Sequence, residues 1–352
     1  MYAWLRRLIS PSSARSAPRR ARAAAHDTQS AQAAVNGATA AAPTAPAKPQ
    51  GITWQQRNDI NAIYIDGLFG GEGHPSLIAS QSEKDILAVL DKMVKSNQSG
   101  GNLVRRMPGV IPQLLQSLRS DNFSGAQLAR KISHDVVLVA AVIRMANSSY
   151  CNPAKPINSI EHAVLVLGQN GLRQLITSMA FKPIIDMQSG HYTKHIAPQL
   201  WEQSVKCAMT ARMLAASQRI EPFEAFLAGL IQNVGLIVSL RVIDQVANGK
   251  QVIGSESFCI ALIEYARTLS ASIGREWNFP DSVTQAILEQ ADTRAGISGM
   301  GKILATGDYL SKIHMLEKQE RLPEHLADYG ANLSEIELIC LDVLRNLKED
   351  EI

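Results

Sequence analysis

The chain has 352 residues, enough for two or three domains with a sizeable buried core, so it is not a small disulfide scaffold. Apolar residues make up 46% and aromatics only 5%, an aliphatic-rich balance that points to helical packing and argues against an all-β fold. The formal net charge of +3 is too small to imply a nucleic-acid partner.

The charge is unevenly placed. Residues 1–50 carry seven Lys/Arg (Arg6, Arg7, Arg15, Arg19, Arg20, Arg22 and Lys48) against one acid, Asp27, so the basic pI belongs to this tail and the rest of the chain is acidic. Sixteen of those fifty residues are Ala, and large apolar side chains are nearly absent after Ile9, so the segment reads as a disordered, solvated tail. Two sharper readings are a weak membrane-surface contact through Trp4, Leu5 and Leu8, and an acid-poor transit peptide. No apolar core of a secretory signal is present, and no later apolar run reaches the roughly 18 residues of a membrane span.

From Trp54 onward apolar residues recur at helical spacing. Ile60, Ile63, Tyr64 and Leu68 share one face; Ile86, Leu87, Leu90, Met93 and Val94 share another after a Ser82-x-x-Asp85 start signal. Between them, residues 67–75 read as a Gly-rich joint without the Lys-Ser/Thr of a phosphate loop, and residues 96–102 mark a domain boundary. Helices 54–96 thus look loosely tethered, and a docking element is one reading of them. Further on, Ser124-x-x-Gln127 forms a capping box, and Asp135 is suited to cap the strongly apolar run 136–146. Ser159 is suited to cap 160–167, with Gly168 in a left-handed conformation ending that helix. Helical faces follow over residues 222–240, 255–277, 281–292, 303–316 and 334–347. No period-2 strand and no fixed repeat is found, so the fold class is all-α.

Two sets of motifs carry a resemblance. The first comprises Met107-Pro108, Ile132-Ser133-His134-Asp135, Arg144-Met145-Ala146-Asn147-Ser148, Pro156 through Ile160, Ala163 and Leu167-Gly168. The second comprises Trp201-Glu202-Gln203-Ser204, residues 225–235 and Trp277-Asn278-Phe279-Pro280. In order and spacing they resemble the HDOD domain, the non-catalytic output-domain relative of the HD metal-dependent phosphohydrolases, over residues 103–295. The resemblance implies a two-subdomain helical fold whose C-terminal part is an HD-phosphohydrolase-like bundle. The expected division is a tail at 1–50, a helical segment and linker at 51–98, an N-terminal subdomain at 99–190 and an HD-like subdomain at 191–350.

Catalytic relatives need several His and Asp ligands to hold divalent ions that acidify a bound water. Here the position of the central His-Asp pair is Gln232-Asn233, an early His is matched by Gln203, and later His positions fall near Ala266 and at Gln290-Ala291. Neutral amides are poor ligands and bring no charge to balance a divalent ion, so no metal, cofactor or catalytic residue is expected. Gln203, Gln232, Asn233 and Gln290 are therefore candidates for a vestigial pocket. They either fill it through mutual hydrogen bonds, the favoured reading, or bind a small polar molecule. Arg144, Asn147 and Ser148 are a candidate interaction junction, set against a purely structural role for Asn147 in the turn at 152–158.

Other motifs carry less. His191 and His195 are four apart, but position 192 is Tyr, and Gly190 and Pro198 flank what reads as a short segment, so surface or core histidines are expected instead of a metal site. A helix-turn-helix reading of 128–147 fails because Val136, Val137, Leu138, Val139, Val142 and Ile143 offer only hydrocarbon to bases. Cys151, Cys207, Cys259 and Cys340 lie 56, 52 and 81 residues apart, read as buried free thiols, and fit a reducing compartment. The sequence expectation is a non-catalytic, cytoplasmic, bacterial signalling adapter acting through protein partners in a regulatory or second-messenger pathway, with no nucleic-acid partner. The alternatives are a nucleotide or cyclic-di-nucleotide sensor and a diverged metal-dependent phosphohydrolase.

Overall fold

Helix start signals account for where the elements begin. In the computed structural model of the chain, the described residues are 51–69, 76–96, 136–147, 153, 155–185, 190–247, 253–291, 296–324, 326, 330 and 332–347. The tail, Ser124-x-x-Gln127, His134 and Asp135 lie outside them. The described residues form helices and no strand.

Helix α1 (Trp54–Leu68) opens on a capping box in which the Thr53 hydroxyl accepts from Gln56 N at 3.2 Å and the Gln56 side chain accepts from Thr53 N at 2.9 Å. Helix α2 (Gln81–Lys95) opens on Ser80 and Glu83, not on Ser82 and Asp85. Glu83 at the third helical position can reach back to the Ser80 amide, at 2.7 Å, whereas Asp85 instead accepts from the Gln81 side chain one turn earlier. The second Glu83 oxygen accepts from Gly254 N and Ser255 N, each at 2.8 Å, so one buried carboxylate caps two helices. Neither helix is loosely tethered: Ile60, Tyr64, Ile65, Leu68, Ile86 and Leu90 are buried in the main core.

Helices α3 (Val136–Ala146) and α4 (Ile160–Ile185) form a smaller core from Val142, Ala146, Ile157, Ile160, Ala163, Leu172 and Leu175. The Ser159 hydroxyl accepts from His162 N at 3.2 Å. Gly168, at φ 62 and ψ 179, breaks α4 after Leu167, a conformation a side chain would resist. The later part of α4 carries Phe181 into the main core against Trp277 and Phe279, with ring centroids 5.6 and 5.9 Å away.

The centre of the main core is helix α5 (His191–Gln218), which continues through the exposed Pro198, so His191 and His195 begin a long helix instead of a short segment. Its first turn is capped by the carboxylate of Asp244, which accepts from Tyr192 N at 2.7 Å and from Thr193 N at 3.0 Å. Residues 222–240 form two helices instead of the single one read from periodicity: α6 (Pro222–Ile231) and α7 (Val234–Ala247). The turn between them frees the Gln232 carbonyl, which accepts from Ser270 Oγ at 2.7 Å, and turns the Gln232 and Asn233 side chains inward. The segment 222–247 is long and apolar enough to cross a membrane, contrary to the sequence reading, but its most apolar 18-residue window is buried within the bundle. Helices α8 (Glu256–Glu276), α9 (Asp281–Leu288), α10 (Gly299–Lys318) and α11 (Glu335–Arg345) complete the packing, with α9 ending before the expected Asp292 and α10 starting before Ile303 because Ser298 caps it.

Candidate functional site

The turn between α6 and α7 brings Gln232 and Asn233 against Gln203 and Ser204 of α5. Asn233 Nδ2 donates to Gln203 Oε1 at 2.5 Å and to Ser204 Oγ at 3.0 Å. These amides do not close on one another alone. They converge on Asp308 of α10, whose Oδ1 accepts from Gln203 Nε2 at 2.9 Å and from Gln232 Nε2 at 3.0 Å. Its Oδ2 accepts from Lys312 Nζ at 2.6 Å and more distantly from Arg267 Nη2 at 3.5 Å. Arg267 of α8 also donates to Gln232 Oε1 at 2.8 Å, and Lys312 to Asn61 Oδ1 of α1 at 2.6 Å. Ser311 Oγ accepts from Gln203 Nε2 at 2.9 Å.

The cluster is dry. Gln203, Gln232, Asn233, Arg267, Asp308, Ser311 and Lys312 are all buried. Burial by itself raises the Asp308 carboxyl, but Lys312 and Arg267 beside it outweigh that and hold it below the usual carboxylate range. Burial presses the Lys312 ammonium below the usual lysine value, with Asp308 opposing. The arrangement is one carboxylate between two cations, surrounded by neutral amides and hydroxyls.

A divalent ion does not fit this donor set. Both oxygens of Asp308 already accept two hydrogen bonds each, and an incoming ion would meet two buried cations. Among the described residues, no group of three or more His, Cys, Asp or Glu is placed to hold a metal. The arrangement can fix helices relative to one another; it offers no free base or nucleophile. Burial pushes the thiol of Cys207 well up and that of Cys340 up to about 12, so these buried thiols are poor nucleophiles.

The structure brings together three of the four pocket residues read from sequence. Gln290 lies elsewhere: its Nε2 donates to Ala286 O at 2.8 Å and Gly301 O at 3.1 Å, joining the end of α9 to α10. It is apart because α9 stops at Leu288, which turns Gln290 back toward the start of α10. At the other candidate junction, Asn147 Nδ2 donates to Ile157 O at 2.7 Å while its Oδ1 accepts from Ile157 N at 2.8 Å, a clamp on the turn before α4. Arg144 is exposed, and Ser148 lies outside the described residues. His191 and His195 are exposed, with ring centroids 5.1 Å apart.

Sequence reasoning missed Asn61, Ser204, Arg267, Ser270, Asp308, Ser311 and Lys312. A signal for the last three was present: Asp308 and Lys312 stand four apart, with Ser311 between, inside the otherwise apolar face of 303–316. A charged pair at that spacing within an enclosed helix marks a buried ion pair.

One titrating group lies nearby on α10. His314 is half-buried, and burial followed by the Lys206 cation lowers its imidazole to about 4. A base whose folded pKa falls below its unfolded value, about 6.5, favours the folded state when neutral. That contribution is present above about pH 6.5 and lost as pH falls toward about 4. His314→Leu should therefore flatten the fall in melting temperature across this window; an unchanged pH profile would place the imidazole in water.

A helical bundle organised around this buried amide and ion-pair cluster is an HD-related all-α fold. The chain belongs to the HDOD domain family, whose model matches residues 104–293. A solved HDOD domain protein of unknown function from Geobacter sulfurreducens is similar at TM-score 0.54 and 20% identity, covering 76% of this chain and 91% of that one. A protein from Shewanella amazonensis described as a candidate metal-dependent phosphohydrolase gives TM-score 0.54 at 16% identity, covering 76% and 99%. Among curated proteins, an uncharacterised protein of Treponema pallidum is 21% identical over 194 residues, 52% of this chain and 37% of its own length. The uncharacterised protein YuxH of Bacillus subtilis is 21% identical over 169 residues, 46% of this chain and 40% of its own. The match thus spans about two fifths of each of these curated relatives.

Proposed function

We propose that this chain is a non-catalytic, cytoplasmic regulator of a bacterial signalling pathway that acts through protein contacts. The observation that carries this reading is the closed cluster around Asp308: groups where a phosphohydrolase needs metal ligands are spent on one another, leaving none to activate water. The described cysteines are free, which accords with a reducing compartment. Purified protein supplied with Mn²⁺, Mg²⁺ or Fe²⁺ is expected to turn over neither nucleoside phosphates nor cyclic di-nucleotides. Stoichiometric metal accompanied by turnover that tracks it would overturn the proposal.

A second reading, a sensor of a small polar ligand, is favoured by one observation. A surface cleft of about 400 Å³ is lined by Arg275, Asp281, Ser282, Thr284, Gln285, Ser298 and Met300, none of them in the Asp308 cluster. In this reading a nucleotide or cyclic di-nucleotide raises the melting temperature without turnover, and Arg275→Ala removes the rise.

A further inference from the structure

We infer that Lys312, seconded by Arg267, is the resident cation of this pocket and is the group that excludes a divalent ion from it. The inference rests on the non-catalytic reading above and names the residues responsible for it.

The geometry around Lys312 resembles that around a bound cation. Its ammonium lies 2.6 Å from Asp308 Oδ2 and 2.6 Å from Asn61 Oδ1, with the ring face of Tyr64 beneath it at 5.6 Å to the centroid. Two oxygens and a π-face are what a hard positive charge seeks once water is removed. Arg267 supports the other side, donating to Gln232 Oε1 at 2.8 Å and to Gln232 O at 3.3 Å while facing Asp308 Oδ2. Every acceptor site of the carboxylate is thereby engaged, two bonds to each oxygen.

Placement on the chain adds a second point. Asp308 and Lys312 stand one turn apart on α10, so a single helix delivers both the anion and the nearer of its two counter-ions. Both residues, and Asn61 on α1, lie outside residues 104–293 that match the family model. The amides at 203, 232 and 233 remove ligands, but the flanking helices α1 and α10 fill the place a metal would take. Reverting amides alone would therefore not restore an ion.

The test is the melting temperature of the full chain with and without 1 mM MnCl₂, with Lys312 varied. The wild-type protein should show no Mn²⁺-dependent change. Lys312→Glu places a second carboxylate one turn from Asp308; it should melt lower than wild type in EDTA and recover on the order of 5 °C or more with Mn²⁺. A Mn²⁺-dependent rise in the wild type overturns the non-catalytic reading together with this inference. A folded Lys312→Glu protein that gains nothing from Mn²⁺ overturns the inference alone. Should that variant not fold, the same claim is read from Lys312→Met placed in wild type and in Asp308→Asn. Removing the ammonium should lower the melting temperature of wild type but raise that of Asp308→Asn, where it is a surplus buried charge. An equal fall in both backgrounds overturns the inference.

Discussion

Gly235→Ala is expected to destabilise the folded protein by about 1–3 kcal/mol, although Ala is the better helix former by about 1 kcal/mol. Gly235 lies in the first turn of α7 where it crosses α8. A Cβ there would run into the carbonyl oxygen of Ala266 and stand 2.7 Å from Ser270 N and 2.8 Å from Ser270 Oγ. Two of these three atoms are backbone, so no side-chain rotation relieves the overlap and the helices must separate. Separation also strains the Gly235 N to Ser270 Oγ bond at 2.8 Å and the Ser270 Oγ to Gln232 O bond at 2.7 Å, which anchor the turn carrying the amide cluster. Gly229 has the same relation to α5, with a Cβ 2.6 Å from the Cα of Ala208. Urea denaturation checks both substitutions. A Gly235→Ala protein as stable as wild type would mean that α7 and α8 do not approach this closely.

The second large effect is expected at Asp308. Asp308→Ala should cost about 3–5 kcal/mol, the usual consequence of stranding buried charge by deleting one partner of an ion pair. Here two cations, Lys312 and Arg267, lose their carboxylate together, and the Gln203 and Gln232 amides lose an acceptor. Exposed pairs make the contrast: substituting Lys95, paired with Asp91 at 2.7 Å on the surface of α2, should leave stability nearly unchanged. The pH dependence gives an independent check. Because Asp308 is held below the ordinary carboxylate range, its contribution is present above the unfolded value near 4 and is lost as pH falls through the lower folded value. The wild-type protein should therefore lose more stability than Asp308→Ala on acidification. Equal acid sensitivity would show that the carboxylate is not engaged by its two cations.

Both substitutions mark the border between what was legible in the chain and what was not. Helix positions followed in part from local chemistry: Ser159 caps where expected and Gly168 interrupts α4 where a positive φ is needed, whereas α2 starts on Ser80 and Glu83 instead of Ser82 and Asp85. Periodicity failed at 232–233 because the apolar pattern runs on through a turn whose polar side chains are satisfied inside the core, not by water. It also failed to show that α1 and α2 are integral, since an apolar face announces burial without naming the surface that buries it.

The amino-acid sequence by itself determined an all-α chain, the Ser159 cap and the amides at 203, 232 and 233, because each depends on contacts a few residues long or on residue identity alone. Tertiary structure decided what those amides face. Asp308 and Arg267 reach Gln203 and Gln232 across separations of 35 to 105 residues, and Lys312, beside Asp308, reaches Asn61 across 251. No local pattern encodes which distant charge meets which amide: hydrogen-bond satisfaction in a buried interior is a property of the packed helices together, and it is what turns separate polar residues into one closed site.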